Sequence, residues 1–421
     1  MKHIFVVFLL LSVIGCNEKK QQADNESVEK TVVENTKNDN VVSLNNPSEE
    51  NSQLPRLYSN GTEIYFSWVT KKDTTNFLNY SKYNGTDWTP KTLVATGNDW
   101  FVNWADFPAL AENNGTVLTN LLQKSADGTY TYDVKLNLFK DSATIKNNFI
   151  LHNDATKSEH GFVSILPYKD DGFFITWLDG RNTAGGHDME GEHGTGGAMT
   201  LRSAIVDGKG TISQRTELDN RVCDCCQTSA AMTANGPVVV YRDRSEEEVR
   251  DISIVRNVNG TWTQPQTVGL DNWKIAACPV NGPSVDAIDN VVAVAWFTVT
   301  KGVGDAKVVF SQDGGATFTT PFSVSTESAT GRVDIVVLDA AKKEAALIWM
   351  QPKGEDEVIY LLKVNEKGSI GTPVIISQTS PERASGFPQL EKVGNELFLA
   401  WTEVDQKITT IKTAIISIDK L

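Results

Sequence analysis

Basic residues are in deficit along this chain of 421 residues. Lysine and arginine together number 39 against 53 aspartates and glutamates, which gives a formal net charge of −14 at pH 7. A protein that binds nucleic acid needs a basic face to neutralise the phosphates. The composition therefore excludes nucleic acid as the expected partner and indicates a soluble, acidic surface.

The chain also lacks an apolar run long enough to cross a bilayer. The run at residues 4–14 is too short for a permanent membrane helix, which needs about 20 residues. It follows Lys2 and ends at Gly15-Cys16, the order that is typical of a secretory signal. Because Cys16 directly follows a small residue, the segment resembles a bacterial lipoprotein signal. We expect a signal peptide at 1–15, a lipidated Cys16 and an exported protein held on the outer membrane, facing the periplasm or the cell surface.

Large apolar side chains are scarce in residues 16–52, where Asn, Glu, Lys, Ser and Gln dominate. Such a segment cannot bury enough apolar surface to offset the entropy of ordering it. We predict a flexible tether at 16–52, in which only residues 41–44 have the pattern of a short strand.

A repeat of about fifty residues organises the rest of the chain. Its template, residues 280–321, has three strand-like runs, and the second run ends near Trp296. The aromatic residue of the second run recurs at Trp68, Trp177, Tyr241, Trp349 and Trp401. The repeats start near Pro55, Pro108, Gly161, Gln227, Pro283, Val333 and Pro388. This is the period of a four-stranded propeller blade, so we predict one monomeric all-β propeller at 53–421. Seven blades are favoured, with six as the alternative.

The last repeat is one strand short. It supplies runs at 389–392, 397–402 and 409–418, and a ring that stays open leaves a sheet edge exposed. Residues 41–44 lie just before the first repeat and can fill the gap. We predict that strands from the two ends of the chain pair and close the ring.

Polar groups collect on one side of the predicted ring. In a propeller, the connections between blades and the links between second and third strands share a rim, which we call the front rim. The residues that these segments carry include Asn103, Asp106, His160, Gln227, Arg242, Arg244, Cys278, Asn281, Arg332, Asp334, Arg383 and Ser385. Their convergence around the axis predicts a binding pocket.

Residues Ser311 to Phe318 resemble the Asp-box, or BNR repeat, of sialidases. The family pattern is Ser-x-Asp-x-Gly-x-x-Trp, and here Phe318 replaces the tryptophan; residues 84–88 and 259–262 look like degenerate copies. Sialidases grip the carboxylate of a sugar with arginines, and use a tyrosine assisted by a glutamate as nucleophile and an aspartate as acid/base. Tyr241 occupies the core aromatic position of its repeat, which argues against a nucleophilic role.

The resemblance implies that the chain binds or hydrolyses an anionic glycan on the front rim. The candidates for acid/base catalysis are Asp106 and Asp334. The candidates for substrate binding are Arg332, Arg383, His160, Gln227, Asn281, Arg242 and Arg244. The alternatives are a non-catalytic binding or assembly module and a lipoprotein that handles a metal through Cys and His.

Four cysteines remain after Cys16. Cys223, Cys225 and Cys226 precede the fourth repeat and Cys278 precedes the fifth, so neighbouring blades bring them close together. One interpretation is one or two disulfides, which an exported protein can form. Others are a redox role or a soft-metal site for Cu(I) or Zn, with His160 or His187 as a further ligand. We expect no other cofactor.

A glycine-rich insertion at 179–198 interrupts the third repeat. It carries His187, Glu190, Glu192 and His193 at a spacing that does not match helical metal ligands. We expect a mobile flap over the pocket.

Overall fold

A computed structural model describes residues 39–183 and 197–421 of the chain. Within these two stretches the regular structure is β-strand, apart from one 3₁₀ turn at Ile418–Lys420, and no helix is long and apolar enough to cross a membrane. The predicted signal, Cys16, and the loop residues His187, Glu190, Glu192 and His193 lie outside the described residues.

The described strands form seven antiparallel sheets, each a blade. Strand β1 (Val42–Leu44) precedes the first blade. Blade 1 consists of β2 (Ser52–Ser59), β3 (Ile64–Lys72), β4 (Thr75–Tyr83) and β5 (Thr92–Gly97). Blade 2 consists of β6 (Leu110–Asn113), β7 (Thr116–Lys124), β8 (Tyr132–Lys140) and β9 (Ala143–Ile150). Blade 3 consists of β10 (His160–Tyr168), β11 (Gly172–Asp179), β12 (Met199–Val206) and β13 (Ile212–Val222).

The remaining four blades follow in chain order. Blade 4 consists of β14 (Ser229–Thr233), β15 (Gly236–Arg242) and β16 (Ile252–Val258), with β17 (Thr261–Trp262) and β18 (Gln266–Gly269) both paired to β16. Blade 5 consists of β19 (Ser284–Ile288), β20 (Val291–Thr300), β21 (Val303–Ser311) and β22 (Phe322–Ser323). Blade 6 consists of β23 (Gly331–Asp339), β24 (Glu344–Lys353), β25 (Asp356–Asn365) and β26 (Gly368–Thr379). Blade 7 consists of β27 (Gly386–Val393), β28 (Glu396–Asp405), β29 (Ile408–Ser417) and β1.

The second strand of each blade carries the core between neighbouring blades. Every residue of β11 is buried, and so are seven of the ten residues of β20, six of them apolar. Because adjacent blades cover both faces of such a strand, its sequence is continuously apolar and does not alternate between apolar and polar residues. Trp177 and Trp296 are completely buried, which confirms the repeated aromatic as the centre of a blade.

Pairing of β1 with β29 closes the ring. Val42 lies opposite Ile415 and Leu44 opposite Thr413 in an antiparallel register. Just beyond the strand, Asn46 Nδ2 donates to the carbonyl of Ile411 at 2.9 Å. The predictions of seven blades and of closure by the two ends of the chain are confirmed, and the six-bladed alternative is wrong. Residues 42–46 therefore belong to the propeller rather than to a free tether.

Four innermost strands start with a β-bulge. The register shifts near the front rim in β2, β10, β23 and β27, and a non-glycine residue with positive φ lies at each shift. These residues are Leu54, Phe162, Arg332 and Phe387, with φ values of 59°, 54°, 53° and 51°. A bulge changes the direction of a side chain, and this conformation is uncommon outside glycine. The bulges therefore bring selected side chains together at the front rim.

The segment that resembles an Asp-box forms a self-bonded turn on the opposite rim. Ser311 Oγ donates to Asp313 Oδ1 at 2.7 Å, and the same oxygen accepts the Thr317 amide at 2.9 Å. Gly315 has φ +81°, and a Cβ there would lie 2.8 Å from Ile254 Cδ1 of blade 4. This turn stabilises the joint between blades 4 and 5 and lies away from the front rim.

Removing β1 will destabilise the whole ring. A chain that begins at residue 48 loses a strand of three residues, hence roughly three backbone hydrogen bonds at about 1 kcal/mol each. We expect its free energy of unfolding, measured by urea denaturation, to fall by about 3 kcal/mol relative to a chain that begins at residue 39. Val42→Ala, which alters an exposed side chain of the same strand, serves as the control and leaves stability nearly unchanged. Equal stability of the two shortened chains would contradict closure by β1.

Candidate anion site at the front rim

The connection between blades 1 and 2 lies across the front rim. We call residues 98–109 the crossing loop. Its Ala105 carbonyl accepts a hydrogen bond from Gln227 Nε2 of the blade 4 connection, at 2.5 Å. The carboxylate of Asp106 accepts the amide of Phe162 in blade 3, at 2.8 Å. The crossing loop is thus bonded to two blades beyond the one it leads into.

The same loop reaches blades 6 and 7 through aromatic rings. The rings of Trp104 and Phe387 lie 5.4 Å apart, and those of Phe107 and Phe387 lie 6.2 Å apart. The guanidinium of Arg332 lies 4.2 Å from the Phe387 ring and 5.7 Å from the Trp104 ring. Since blades 3 and 4 face blades 6 and 7 across the ring, the loop spans the axis. We call Trp104, Phe107, Arg332, Arg383 and Phe387 the arginine–aromatic patch.

A cavity of about 340 Å³ runs along the axis beside the crossing loop. The innermost strands line it, and so do four residues that the sequence predicted for the site. These four are Asp106, Gln227, Arg332 and Asp334. The structure therefore brings predicted residues from blades 2, 4 and 6 to one cavity.

Asp106 is a buried carboxyl group with one unused oxygen. Its side chain is 3% exposed, and Oδ2 has no hydrogen-bond partner in the described part of the chain. Burial raises its pKa to about 7, although the bond from the Phe162 amide acts in the opposite direction. A Cβ at Gly161 would collide with Oδ2, so only glycine allows this close approach.

Arg332 is a partly buried cation that is held without a carboxylate. Its guanidinium donates to the carbonyl oxygens of Ser385 and of Arg383, the latter at 3.1 Å. No ion pair of Arg332 exists within residues 39–183 and 197–421. Burial lowers its pKa to about 10, and the charge of Arg383 acts in the same direction, while Glu357 opposes them. Arg383 itself is exposed beside this group.

Asp334 joins three blades. Its Oδ1 accepts Ser284 Oγ of blade 5 at 2.7 Å, and its Oδ2 accepts the Leu390 amide of blade 7 at 2.9 Å. Burial raises the pKa of Asp334, while these bonds oppose the shift. Both oxygens are used inside the protein, so the geometry favours a structural role over the predicted acid/base role.

Other predicted substrate-binding side chains are also turned inward. Arg242 is fully buried and donates to the carbonyls of Asn281 and Phe297 at 2.8 and 2.7 Å. Arg244 pairs with Asp224 at 2.9 Å and with Glu248 at 2.8 Å. Arg242 thus holds the joint between blades 4 and 5, and Arg244 holds the connection into blade 4 against a loop of that blade. Substrate contact by either arginine is not supported by this geometry.

Asn281 and His160 likewise serve the scaffold. Asn281 Oδ1 accepts the Arg332 amide at 2.7 Å, which fixes the bulge that presents this arginine. His160 is completely buried, and its Nε2 lies 3.0 Å from Asp154. Its ring stacks on His152 with the centroids 3.6 Å apart, and Asp154 bridges the two histidines. The expectation that His160 binds substrate or a metal with the cysteines is therefore not supported.

The sequence did not indicate a buried tyrosine–glutamate pair next to Asp106. The hydroxyl of Tyr132 lies 2.5 Å from Glu159, and both side chains are buried. Burial raises the pKa values of both groups well above their ordinary values. Tyr132 is the first residue of the third strand of its blade, a position at which the repeat has no characteristic aromatic residue. Glu159 lies in a connection between blades. No sequence pattern could therefore have predicted that these two residues form a pair.

The four cysteines meet as the sequence predicted. We call Cys223, Cys225, Cys226 and Cys278 the thiol cluster; all four are free thiols. Cys223 Sγ lies 3.3 Å from Cys226 Sγ and 4.0 Å from Cys225 Sγ, and Cys278 interacts with Cys225 from the next connection. Arg250 Nη1 donates to Cys223 Sγ at 3.2 Å. Although burial opposes the charged form, bonds from Cys225 and Cys226 and the charge of Arg250 lower the pKa of Cys223 well below its ordinary value.

No model of a known protein family matches the chain, and no curated protein matches it in sequence. Solved structures do match. One is an ulvan lyase of a polysaccharide lyase family bound to -[GlcA(1-4)Rha3S]-, with a TM-score of 0.56 and 12% identity, over 89% of this chain and 96% of that one. Another is the endosialidase of phage phi92, with a TM-score of 0.50 and 8% identity, over 90% of this chain and 69% of that one.

The chain shares its fold with these propellers. The sialidase NanB of Streptococcus pneumoniae, as its K499G mutant, also matches, at 12% identity over 90% of this chain and 71% of that one, but its TM-score of 0.46 carries no argument. At such low identities the similarity shows the architecture alone.

Titration of Asp106 will make stability depend on pH. Its pKa is about 7 in the folded protein and about 3.9 in an unfolded chain. Between these values the folded protein keeps a proton that the unfolded chain has released, so stability falls as pH rises. Relative to Asp106→Asn, the free energy of unfolding of the wild type should fall by about 1.4 kcal/mol per pH unit between pH 4.5 and 6.5 and level off above pH 7. Parallel curves from chemical denaturation would show that Asp106 is not buried in this way.

Proposed function

We propose that the protein binds an anionic glycan at the front rim, with Arg332 and Arg383 contacting its acidic group. The observation that carries this proposal is the state of Arg332. It is a partly buried cation, supported by carbonyls and aromatic rings, with a second arginine beside it and no carboxylate paired with it in the described residues.

Such an arrangement is unfavourable in the absence of an anion. Removing a charge from water is costly unless a counter-charge or full hydrogen bonding replaces the water. The charge of Arg383 repels that of Arg332. The chain as a whole has an excess of carboxylates, with a net charge of −14, yet none of those described is paired with Arg332. A guanidinium presents paired N–H donors that match a carboxylate or a sulfate. A bound acidic group would supply the missing counter-charge.

The aromatic rings of the patch suit a sugar. Trp104 is partly exposed beside Arg332 and packs against Phe387, which in turn packs against Phe107. A rigid apolar surface next to a few polar donors is the usual composition of a small-ligand site. The ulvan lyase that shares the fold binds -[GlcA(1-4)Rha3S]-, so this repeat belongs among the test ligands.

The same proposal includes export and lipid anchoring through Cys16. Its support is the order of a basic start, a short apolar run and Gly15-Cys16. A glycan-binding propeller on the outer membrane would meet its ligand outside the cytoplasm. Metabolic labelling with a fatty acid, lost in Cys16→Ser, tests this part alone.

Binding can be measured by calorimetry with sialic acid, glucuronate oligosaccharides, -[GlcA(1-4)Rha3S]- and neutral sugars. We expect at least one acidic ligand to bind and the neutral sugars to bind much more weakly. Loss of one charge-assisted contact removes about 1.5–3 kcal/mol, so Arg383→Ala and Arg332→Lys should each raise Kd about 10- to 100-fold. Arg256→Ala, which removes an arginine near the opposite rim, is the matched control and leaves Kd unchanged.

Two results would refute the proposal. One is the absence of binding to every acidic glycan by folded wild-type protein. The other is binding that Arg383→Ala and Arg332→Lys leave intact while both variants retain wild-type stability. Either result would remove the arginine–aromatic patch from consideration as the binding site.

Hydrolysis of the bound glycan is the second candidate function. It is favoured by Asp106, whose pKa of about 7 suits an acid/base catalyst at neutral pH, and by the adjacent Tyr132–Glu159 pair at 2.5 Å. Tyr132 is completely buried and its ring stacks on Phe101 of the crossing loop, so attack by its oxygen requires this loop to move. Because hydrolysis requires this movement and binding does not, we propose binding as the first function and hydrolysis as the second.

Turnover can be tested with fluorogenic sialosides and glucuronides. If the site is catalytic, the wild type releases the fluorophore and Asp106→Asn lowers kcat by about 100-fold or more, the usual contribution of acid/base catalysis. Release that Asp106→Asn does not diminish would exclude Asp106 as the catalyst. Binding without turnover would leave a non-catalytic binding module.

A further inference from the structure

We propose that the thiol cluster binds one thiophilic metal ion, Zn²⁺ or Cu⁺, through Cys223, Cys225, Cys226 and Cys278. The cluster belongs to the connections that lead into blades 4 and 5 and shares no residue with the arginine–aromatic patch. It is therefore independent of the proposed glycan binding.

Three of the four sulfur atoms already have the spacing that a metal ion requires. Four thiolates around Zn²⁺, each at about 2.3 Å, lie about 3.8 Å from one another. The observed separations from Cys223 Sγ are 3.3 Å to Cys226 and 4.0 Å to Cys225, and these three sulfur atoms all lie within 4.8 Å of one another. Cys278 is not a member of this group of three, but it interacts with Cys225 from the next connection, and we assign it as the fourth ligand.

The donor set determines the class of metal. All four candidate donors are sulfur, which favours Zn²⁺ and Cu⁺ over magnesium and calcium. Asp224 lies between the cysteines, but its carboxylate is directed to Arg244 at 2.9 Å. His160 is committed to Asp154, in a separate histidine–aspartate group. Asp224 and His160 are thus bonded elsewhere, and the cysteine thiols remain as the candidate ligands of this site.

The side chain of Arg250 is placed to balance the negative charge of the thiolates. Binding a metal ion releases the thiol protons to solvent and leaves negative sulfur ligands. Arg250 is completely buried and donates to Cys223 Sγ at 3.2 Å. Glu248 holds the other end of the same guanidinium at 2.7 Å, which fixes its direction. Such an outer contact orients a ligand and partly neutralises it.

The cluster also has a path for an ion. Cys223 and Cys226 are buried, whereas Cys225 is partly exposed and Cys278 is exposed. An ion can therefore enter from the front rim and become enclosed by the two buried thiols. Once bound, it links the connections into blades 4 and 5.

The test uses the full chain, reduced and freed of metal, with all thiols counted before titration. We expect one Zn²⁺ or one Cu⁺ per chain in competition with a chromophoric chelator, and a rise in Tm on binding. Cys226→Ser should weaken binding of either ion at least 100-fold. Cys16→Ser, which removes a cysteine outside the cluster, should leave the stoichiometry at one.

The variant Cys278→Ser distinguishes the two ions. Zn²⁺ requires four ligands, so its affinity should fall at least tenfold. Cu⁺ can be held by three thiolates, and Cys278→Ser keeps the close group of Cys223, Cys225 and Cys226 that Cys226→Ser breaks, so the affinity for Cu⁺ should change little. The proposal is overturned if fully reduced wild type binds neither ion more tightly than Cys226→Ser does. It is also overturned if protein isolated without reductant contains two disulfides and its reduced form shows no metal-dependent rise in Tm.

Discussion

Hydrogen bonding between β1 and β29 closes the ring, and the arginine–aromatic patch of the front rim depends on that closure. The contact is small, with three pairs of residues, but it removes the exposed edge of blade 7 and joins the two ends of the chain. Closure makes blade 7 a neighbour of blade 1. The crossing loop, which leaves blade 1, can then bring Trp104 against Phe387 and Arg332.

A closed ring also allows the front rim to hold groups that are unfavourable in isolation. Asp106 has a buried oxygen without a partner, and Arg332 has positive φ and no paired carboxylate in the described stretches. Each such feature lowers stability and persists because the blades around it are rigid and well packed. The tryptophan cores between blades provide that rigidity. Strained and uncompensated groups thus concentrate where a ligand can use them.

The architecture could be predicted because it rests on a repeated local pattern. Trp177 and Trp296 occupy equivalent strands, and the short apolar pattern at 41–44 matched the missing strand of the last blade. The use of individual polar side chains could not be predicted in the same way. Arg242 ends β15 and Arg332 lies at the start of β23, and both donate to backbone carbonyls. Arg242 is nevertheless buried between blades, whereas Arg332 stays partly exposed at the front rim. The β-bulge and the positive φ at Arg332 cause this difference in exposure, and no pattern of residues in the sequence predicts either of them.

The path of the crossing loop is the most consequential feature that the sequence did not reveal. Hydrogen–deuterium exchange of residues 98–109 tests it most directly. The amides of Phe101, Ala105 and Ala109 are bonded to Leu122, Asn103 and Asn120. The loop also contacts four further blades. We predict protection close to that of the flanking strands β5 and β6. Complete exchange of this segment within seconds, while the strands stay protected, would show that nothing spans the axis and would contradict the proposed site.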